Sequence, residues 1–478
     1  MAYADLRAFL DALADAGQLI RISDEVLPEP DLAAAARAAA NFGGTAPAIL
    51  FDRVHGYEKA CVAVNVHGSW RNHAMALGLS PDTSPAEQFR EFNKRWERFP
   101  VRVERAKKAP FLENSTGPAP DLHRLLPLFR LNSFDGGCYL DKAVVVSRDP
   151  DDPNHFGKQN VGIYRMQVTG KGRLGLQPAS SHDIGKHLRA AEARGEDLQV
   201  AIAVGNEPVI SIVAGMPLDY DQSEYEMAGA LQEAPYTVTS APVTGLDVPT
   251  GAEVVIEGRV LARHRELEGP FGEVTGQYSG GRLQPVIEID QVWYRNDPIF
   301  EHLYLGRPWT EVDYLVGVST SVAVFQQLAA SFPEVEAVNA MYTHGLVAII
   351  STRCRYGGFG KAMALRALTT PHGLAYCKVL VVVDASVDPF DLTQVMSAIS
   401  TRCDPARDVT LLPGMPGFIL DPSSENPGIT TKIILDATIP TAPDNRGRFG
   451  QQLTDPPTTD IWEARLHRMM RGDSRVNT

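Results

Sequence analysis

Between residues 143 and 294 the hydrophobic pattern shortens to the period of strands, and this stretch constrains the fold more than any other. Ala143–Val146, Gly162–Val168, Gln199–Val204, Val209–Val213, Glu253–Arg263 and Leu283–Tyr294 are apolar or alternating runs bounded by Gly, Pro, Asn and Asp. Such runs read as strands. One helical stretch, roughly His182–Glu192, interrupts them. Clustered strands with so few helices predict a β-rich core, a barrel or a sandwich, with helices on its flanks.

The flanks supply those helices. Leu6, Phe9, Leu10 and Leu13 recur at helical spacing, with Gly17 as a stop. Asp31–Ala40 is an alanine-rich helix, and Ala48–Phe51 a short strand. Ser84, Pro85 and Glu87 open a helix that runs through Phe89, Phe92 and Trp96 to Pro100. After residue 311 the texture changes again. Val312–Ser331 reads as a helix, Val335–Thr352 and Val379–Asp384 as strands, and Pro389–Ser400 as a helix opened by Asp388-Pro389. The tail beyond Pro440 ends in an amphipathic stretch with Ile461, Trp462, Leu466 and Met469. The fold class is α/β (α+β), with a second α+β unit following the β-rich core.

Charge narrows the partners. The 478 residues carry 45 Lys and Arg against 58 Asp and Glu, a formal charge of −13. A nucleic-acid surface needs the opposite sign, whereas an anionic small substrate needs only a local arginine. The five cysteines are scattered and form no CxxC, which argues against structural zinc and a disulfide framework. The start of the chain has no basic and apolar leader, and runs such as Val379–Val383 are too short to span a bilayer. A cytoplasmic protein, bound to neither nucleic acid nor membrane, is expected.

Several motifs carry chemistry. Gly170-Lys-Gly-Arg-Leu-Gly175 is a literal GxGxxG, but Pro178 delays any helix after it, so a basic hairpin turn fits better than a dinucleotide loop. No P-loop, GxSxG or HExxH occurs. Glu268 and Glu273 bracket Gly-Pro-Phe-Gly, a turn that lets two carboxylates converge and separates their pKa values, as acid–base work requires. A solvated acidic turn has the same spacing. Arg165 lies in an otherwise apolar stretch and needs an anionic partner if buried, whether for catalysis or as a structural ion pair. In Ala214-Gly-Met-Pro217 a turn offers carbonyls, and Glu224 follows at a helix start. Carbonyls with a carboxylate suit hard cations, and a first-turn glutamate also suits a helix dipole.

Together these stretches resemble the UbiD family of prenylated-FMN decarboxylases, and within it the C subunits of bacterial phenolic-acid decarboxylases. The likeness extends over essentially the whole chain. It is carried by Phe156-Gly-Lys-Gln-Asn-Val-Gly-Ile-Tyr-Arg165, Tyr220-Asp-Gln-Ser-Glu-Tyr-Glu-Met-Ala-Gly-Ala230, Tyr304-Leu-Gly-Arg-Pro-Trp-Thr-Glu311 and Glu336-Ala-Val-Asn-Ala-Met-Tyr-Thr-His-Gly345. It implies an N-terminal flavin-binding catalytic domain over 1–310 with a β-barrel-like core at about 120–310. A connecting helix (311–332), a C-terminal α+β oligomerisation domain (333–440) and a tail with a helix (441–478) follow.

The resemblance also implies site roles. Arg165, Glu268 and Glu273 match the family's catalytic network, with Glu273 as proton donor. Asn160, His182 and Glu224 match the ligands of manganese (or magnesium). Backbone at Ala214, Gly215 and Met216, with Glu224, matches a potassium site. Val161, Gly162, Ile163, Tyr164, Ser181, Met216, Pro217 and Lys432 join Asn160, Arg165, His182 and Glu224 around the cofactor, Lys432 on its phosphate. Tyr304–Glu311 is the candidate wall against the substrate ring.

These residue types suit the reaction. Loss of CO₂ from an aromatic ring leaves a carbanion with nowhere to place its charge, so a cofactor must provide the sink. Arg165 is expected to hold both glutamates and to lower their pKa while the site is open, with burial by substrate pushing Glu273 back toward a donor. The implied activity is non-oxidative, reversible decarboxylation of hydroxyarylic acids such as vanillate, 4-hydroxybenzoate or protocatechuate. The alternatives are a polyprenyl-4-hydroxybenzoate decarboxylase of quinone biosynthesis and a catalytically silent flavin-binding or assembly subunit. A homodimer or homohexamer, a small D subunit and a flavin prenyltransferase are the implied partners. The final helix, near Ile461–Met470, is expected to sit on a neighbouring copy.

Overall fold

The computed structural model of the chain describes residues 3–179, 182–307, 309–444 and 453–470. Its first helix, Leu6–Asp15, forms as the spacing predicts. Asp5 caps it through the Ala8 N–H, and Leu6, Phe9, Leu10 and Leu13 are all buried. Gly17 closes it at φ +68°, a conformation that side chains resist. The Pro85–Trp96 helix has a complete capping box, Ser84 and Glu87 each accepting the other's backbone N–H. A four-stranded sheet orders Leu19–Ile22, Ala48–Phe51, Cys61–Val64 and Ile299–His302. Its last strand ties the N-terminal segment to the residues just before the long connecting helix.

The central sheet has nine strands. In hydrogen-bonded order it runs Tyr139–Leu140, Met166–Gly170, Arg173–Leu176, Arg282–Tyr294, Val254–Glu268, Leu198–Val204, Val144–Arg148 and Gln159–Ile163, with Asn114–Thr116 paired to Arg282–Tyr294. The predicted stretch Gly162–Val168 is therefore not one strand. It breaks at Tyr164 and Arg165, and the chain passes from one end of the sheet to near the other. Ile163 and Met166 can be at most about 11 Å apart, whereas a flat sheet would separate their strands by about 29 Å. The sheet must curl until its ends approach. Irregular pairing along Val254–Glu268, with Arg263 at φ +57°, assists the bend.

The barrel-like core is thus curled but not closed. Among the described residues its end strands do not pair with each other. One of them is only two residues long, too short to zip a seam. Tyr164 and Arg165 bridge that seam. The hairpin expected at Gly170-Lys-Gly172 is present, joining the antiparallel strands Met166–Gly170 and Arg173–Leu176.

Two further expectations need correction. Val209–Val213 is not a strand but part of the helix Pro208–Val213, buried along its whole length. A short, wholly apolar run has no period that separates the two states, and proline at the first turn favours the helix. The helix expected at Pro389–Ser400 is Leu392–Arg402, capped by Asp391 through the N–H groups of Thr393 and Gln394. Asp388 instead accepts from the Phe390 N–H at 2.9 Å and makes the preceding turn.

The connecting helix, Glu311–Ala329, opens with a capping box between Thr310 and Asp313 and is buried from Glu311 to Val324. Gly317 lets it lie close on the next strand, because a Cβ there would come within 3.0 Å of Met341. A five-stranded sheet follows in the order Val335–Tyr342, Val347–Thr352, Val379–Asp384, Ile429–Ala437 and Val409–Pro416. The last described helix, Thr459–Met470, buries none of its residues. No described helix is long and apolar enough to cross a membrane.

Candidate active site

Arg165 sits on the seam of the curled sheet and is buried. Its Nε and Nη2 reach Glu268 at 3.1 and 2.9 Å, a bidentate pair. Its Nη1 meets Glu273 Oε1, and the guanidinium carbon lies 4.9 Å from the Phe271 ring centre. Glu268 and Glu273 are 1% and 6% exposed, which excludes a solvated acidic turn. The three groups form one buried network with two acids for one base.

The turn between the glutamates is clamped through its backbone. Glu268 ends a long strand, and Gly269 follows at φ +92°. The Gly269 N–H donates to Gln167 Oε1 at 3.0 Å. The Pro270 carbonyl accepts from the Gly136 N–H at 2.7 Å and from the Tyr139 hydroxyl at 3.3 Å. The Gly272 N–H donates to Asp135 Oδ1 at 2.8 Å. A Cβ at Gly272 would fall 2.3 Å from Asn132 Nδ2, so a side chain there would have to displace Asn132. Sequence reasoning missed these clamps. Asp135 and Tyr139 lie too far from the turn in sequence for any local pattern to join them.

Burial raises the Glu273 pKa above the ordinary glutamate value, and the Arg165 charge only partly offsets it. The expected lowering by Arg165 is therefore outweighed. Arg165 is itself raised: burial works against its charge, but Glu273 and Glu268 overcome that. A glutamate that holds its proton more tightly than usual, beside a fixed cation, suits proton donation.

A second group surrounds Tyr164. Its hydroxyl donates to Asn160 Oδ1 at 2.9 Å, and its ring centre is 5.5 Å from that of His182. Glu224, at the start of the helix Glu224–Gln232, acts electrostatically on the same hydroxyl. Glu224 is buried, its Oε2 has no hydrogen-bond partner, and burial pushes its pKa well above the usual carboxylate range. A buried, unpartnered carboxylate oxygen fits a cation. Burial lowers His182 to about 4, keeping it neutral as a ligand must be. Its Nδ1 accepts from the Ala179 N–H at 3.3 Å, and its Nε2 lies 2.9 Å from Tyr376 Oη. Among the described residues no three His, Cys, Asp or Glu side chains gather as a cage.

The remaining expected residues are placed as follows. Val161, Gly162 and Ile163 lie on the edge strand with Asn160. The Ile163 N–H donates to the Ala214 carbonyl at 3.2 Å, which ties the Ala214-Gly215-Met216-Pro217 turn to that strand. The Met216 carbonyl accepts from Leu218, so each of the two carbonyls retains one lone pair. Ser181 lies outside the described residues. Lys432 is buried in the strand Ile429–Ala437 and donates to the Gly373 and Leu374 carbonyls at 2.5 and 2.9 Å. Burial lowers it to about 8. A buried ammonium that meets two carbonyls fits an anionic phosphate.

The candidate wall divides into aromatic residues and an inward-turned acid. Tyr304 is buried, and Trp309 lies against Trp70, Tyr314 and Tyr342. Glu311 turns inward instead, to Lys142 Nζ at 2.6 Å. Pro308 lies outside the described residues. Lys142 also reaches Glu301 at 2.7 Å and His67 at 3.0 Å, all deeply buried.

Comparison with known proteins agrees with this architecture. Family models described as 3-octaprenyl-4-hydroxybenzoate carboxy-lyase N-terminal, Rift-related and C-terminal domains match residues 10–92, 102–308 and 313–437. A phenolic acid decarboxylase of Bacillus subtilis (strain 168) is 58% identical over 471 residues, covering 98% of this chain and 100% of that one. The Sedimentibacter hydroxybenzoicus vanillic acid decarboxylase ShVdcCD, in closed form, superposes with a TM-score of 0.94 at 49% identity, covering 98% of this chain and 100% of that one. An evolved dimeric form of the UbiD-class enzyme HmfF from Pelotomaculum thermopropionicum, in complex with prFMN, has a TM-score of 0.80 at 28% identity, covering 96% and 98%.

Proposed function

Because the chain belongs to the UbiD family of carboxy-lyases, we propose that it is a prenylated-FMN-dependent decarboxylase of hydroxyarylic acids. The reaction is non-oxidative and reversible, and vanillate, 4-hydroxybenzoate and protocatechuate are its substrate class. The observation that carries the reading is the buried Arg165, with Glu268 on two of its nitrogens and Glu273 on the third. The likeness to phenolic acid decarboxylases supports the substrate class. The likeness to a prFMN complex supports the cofactor.

When bound, prenylated FMN supplies the electron sink that no side chain offers. The chain's own residues do the rest. Glu268 occupies Nε and Nη2 of Arg165 and fixes the guanidinium plane, so Nη1 stays aimed at Glu273. Glu273, whose pKa burial raises, gives its proton to the ring carbon that has lost CO₂. Its carboxylate is then left beside Arg165, which stabilises it. Asn160, His182 and Glu224 would hold Mn²⁺ or Mg²⁺. The Ala214, Gly215 and Met216 backbone, with Glu224, would hold K⁺. Residues Val161–Tyr164, Ser181, Met216, Pro217 and Lys432 would line the cofactor, with Lys432 toward its phosphate.

The wider assembly belongs to the same reading. The catalytic domain spans 1–310, the connecting helix 311–332, the C-terminal domain 333–440 and the tail 441–478. The Thr459–Met470 helix, none of whose residues is buried, supports a homo-oligomer in which it covers a neighbouring copy. The likeness to ShVdcCD supports a small D subunit. A flavin prenyltransferase supplies the cofactor, and the protein works in the cytoplasm.

The test is release of CO₂ and phenol from vanillate, 4-hydroxybenzoate and protocatechuate. Protein co-expressed with a flavin prenyltransferase is compared with protein made without it. Activity confined to the co-expressed sample is expected, with substrate preference read from the three rates. No release from any acid, with prenylated FMN bound, would overturn the substrate class and favour a silent subunit.

A further inference from the structure

One hydroxyl at the catalytic turn has no role in the mechanism above. Ser279 is buried, and register fixes its place, since Phe271 pairs with Ser279 and Gly272 with Tyr278. Its Oγ accepts from Arg165 Nη1 at 3.3 Å and lies 3.3 Å from the Phe271 carbonyl. The same Arg165 Nη1 meets Glu273 Oε1, so the hydroxyl and the reacting carboxyl sit side by side on one guanidinium nitrogen, and Ser279 acts to lower the Glu273 pKa. The hydroxyl therefore gives its one proton to a backbone carbonyl while standing beside the reacting carboxyl.

We propose that Ser279 is a positioning residue for proton donation, its hydroxyl proton turning from the Phe271 carbonyl to Glu273 as Glu273 gives up its own. The inference rests on Glu273 as donor. In the step, the Glu273 O–H bond breaks and a C–H bond forms with the electron pair left on the ring carbon. The Ser279 O–H only rotates, and no other reactant is needed. A protonated Glu273 needs little from Ser279, whereas the carboxylate gains a donor, so the hydroxyl favours the state after transfer. The charged groups facing Glu273 are Arg165, from the seam, and Glu268, from the end of its strand. Asp135 and Tyr139, from the segment before Leu140, bond the turn's backbone instead. Burial holds the Glu273 proton, and Ser279 with Arg165 eases its release.

The test uses cofactor-loaded protein and the pH profile of kcat for wild type, Ser279→Ala, Ser279→Thr and Glu273→Gln. Removing the hydroxyl raises the Glu273 pKa. The expected result for Ser279→Ala is a kcat about tenfold lower, KM unchanged, and a basic limb displaced upward by about one pH unit. Ser279→Thr keeps the hydroxyl and restores both. Carboxyl infrared titration of the same variants reads the Glu273 shift independently of turnover. A Ser279→Ala profile superimposed on wild type, or a raised KM with kcat unmoved, would overturn the proposal. Failure of the underlying reading looks different: Glu273→Gln would then keep full activity, whereas an inactive Glu273→Gln with an unshifted Ser279→Ala removes Ser279 alone. If Ser279→Ala does not fold, Ser279→Cys keeps the volume with a weaker donor, and its limb moves up or the idea fails.

Discussion

His182 and Tyr376 meet across the two halves of the chain, with imidazole Nε2 2.9 Å from the phenol oxygen. His182 stands just before a helix that lies on the curled sheet, whereas Tyr376 follows the Pro371–Ala375 helix of the C-terminal unit. The Tyr376 ring is itself stacked on His372, centroids 4.8 Å apart, and lies edge-on to His344 at 5.0 Å. Both imidazole nitrogens are thus engaged, Nδ1 by the Ala179 N–H and Nε2 by Tyr376, so a metal at His182 would displace one of these partners.

His182→Ala should therefore lose metal and flavin together. The remaining donors, Asn160 and Glu224, leave a two-point oxygen site, and a transition-metal site that loses its imidazole falls in affinity by at least about tenfold. Elemental analysis of manganese and the flavin absorbance of the purified protein are the readouts. Both at full occupancy would remove His182 from the ligand set.

Glu273→Gln keeps shape and hydrogen bonding but has no acidic proton. Turnover should fall by at least about a hundredfold while flavin stays bound. In the wild type the sign of the pH effect follows from burial. A raised Glu273 pKa keeps the donor form to higher pH than an ordinary glutamate would, and kcat falls as pH rises through that value. Normal activity of the variant would end the donor assignment.

Much of this was legible in the sequence, and the limits have physical causes. The Ser84 box, the Leu6–Asp15 helix and the paired glutamates announce themselves because their partners lie within a few residues. The buried arginine announced a need for anions, and the structure supplies Glu268 and Glu273. Periodicity could not tell a buried helical turn from a strand at Val209–Val213. Nor could it show that Tyr164 and Arg165 leave the ladder to span a seam. The clamps on the turn, Asp135, Tyr139 and Gln167, are long-range contacts made by ordinary residue types, so nothing local marks them. Glu311 closes the candidate wall in sequence, yet a buried lysine claims it.

That lysine carries a stability prediction. Lys142 stands between Glu301 at 2.7 Å and Glu311 at 2.6 Å, with no exposure of any of the three beyond 2%. Glu311 opens the connecting helix, so the pair also anchors the joint between the two units. Lys142→Met leaves two buried carboxylates without their counter-charge and should lower unfolding stability by roughly 3–5 kcal/mol. Denaturant unfolding followed by tryptophan fluorescence checks it. A loss below about 1 kcal/mol would mean that the carboxylates protonate or find water at little cost.

Lys432 offers a prediction that separates phosphate recognition from flavin recognition. Its ammonium is buried, bonded to two carbonyls, and lowered to about 8 by that burial. A phosphate arriving beside it would restore the counter-charge that the interior denies it. FMN affinity should therefore fall as pH rises through about 8, because the lysine loses the proton that attracts the phosphate. Riboflavin, which has the same ring system and no phosphate, should show no such dependence. Lys432→Met should weaken FMN by at least about tenfold, the worth of one charge-assisted hydrogen bond, and leave riboflavin unchanged. Fluorescence-quenching titrations of both flavins across pH read all of this. Equal losses for the two would place Lys432 in the fold of the C-terminal sheet rather than on the cofactor phosphate.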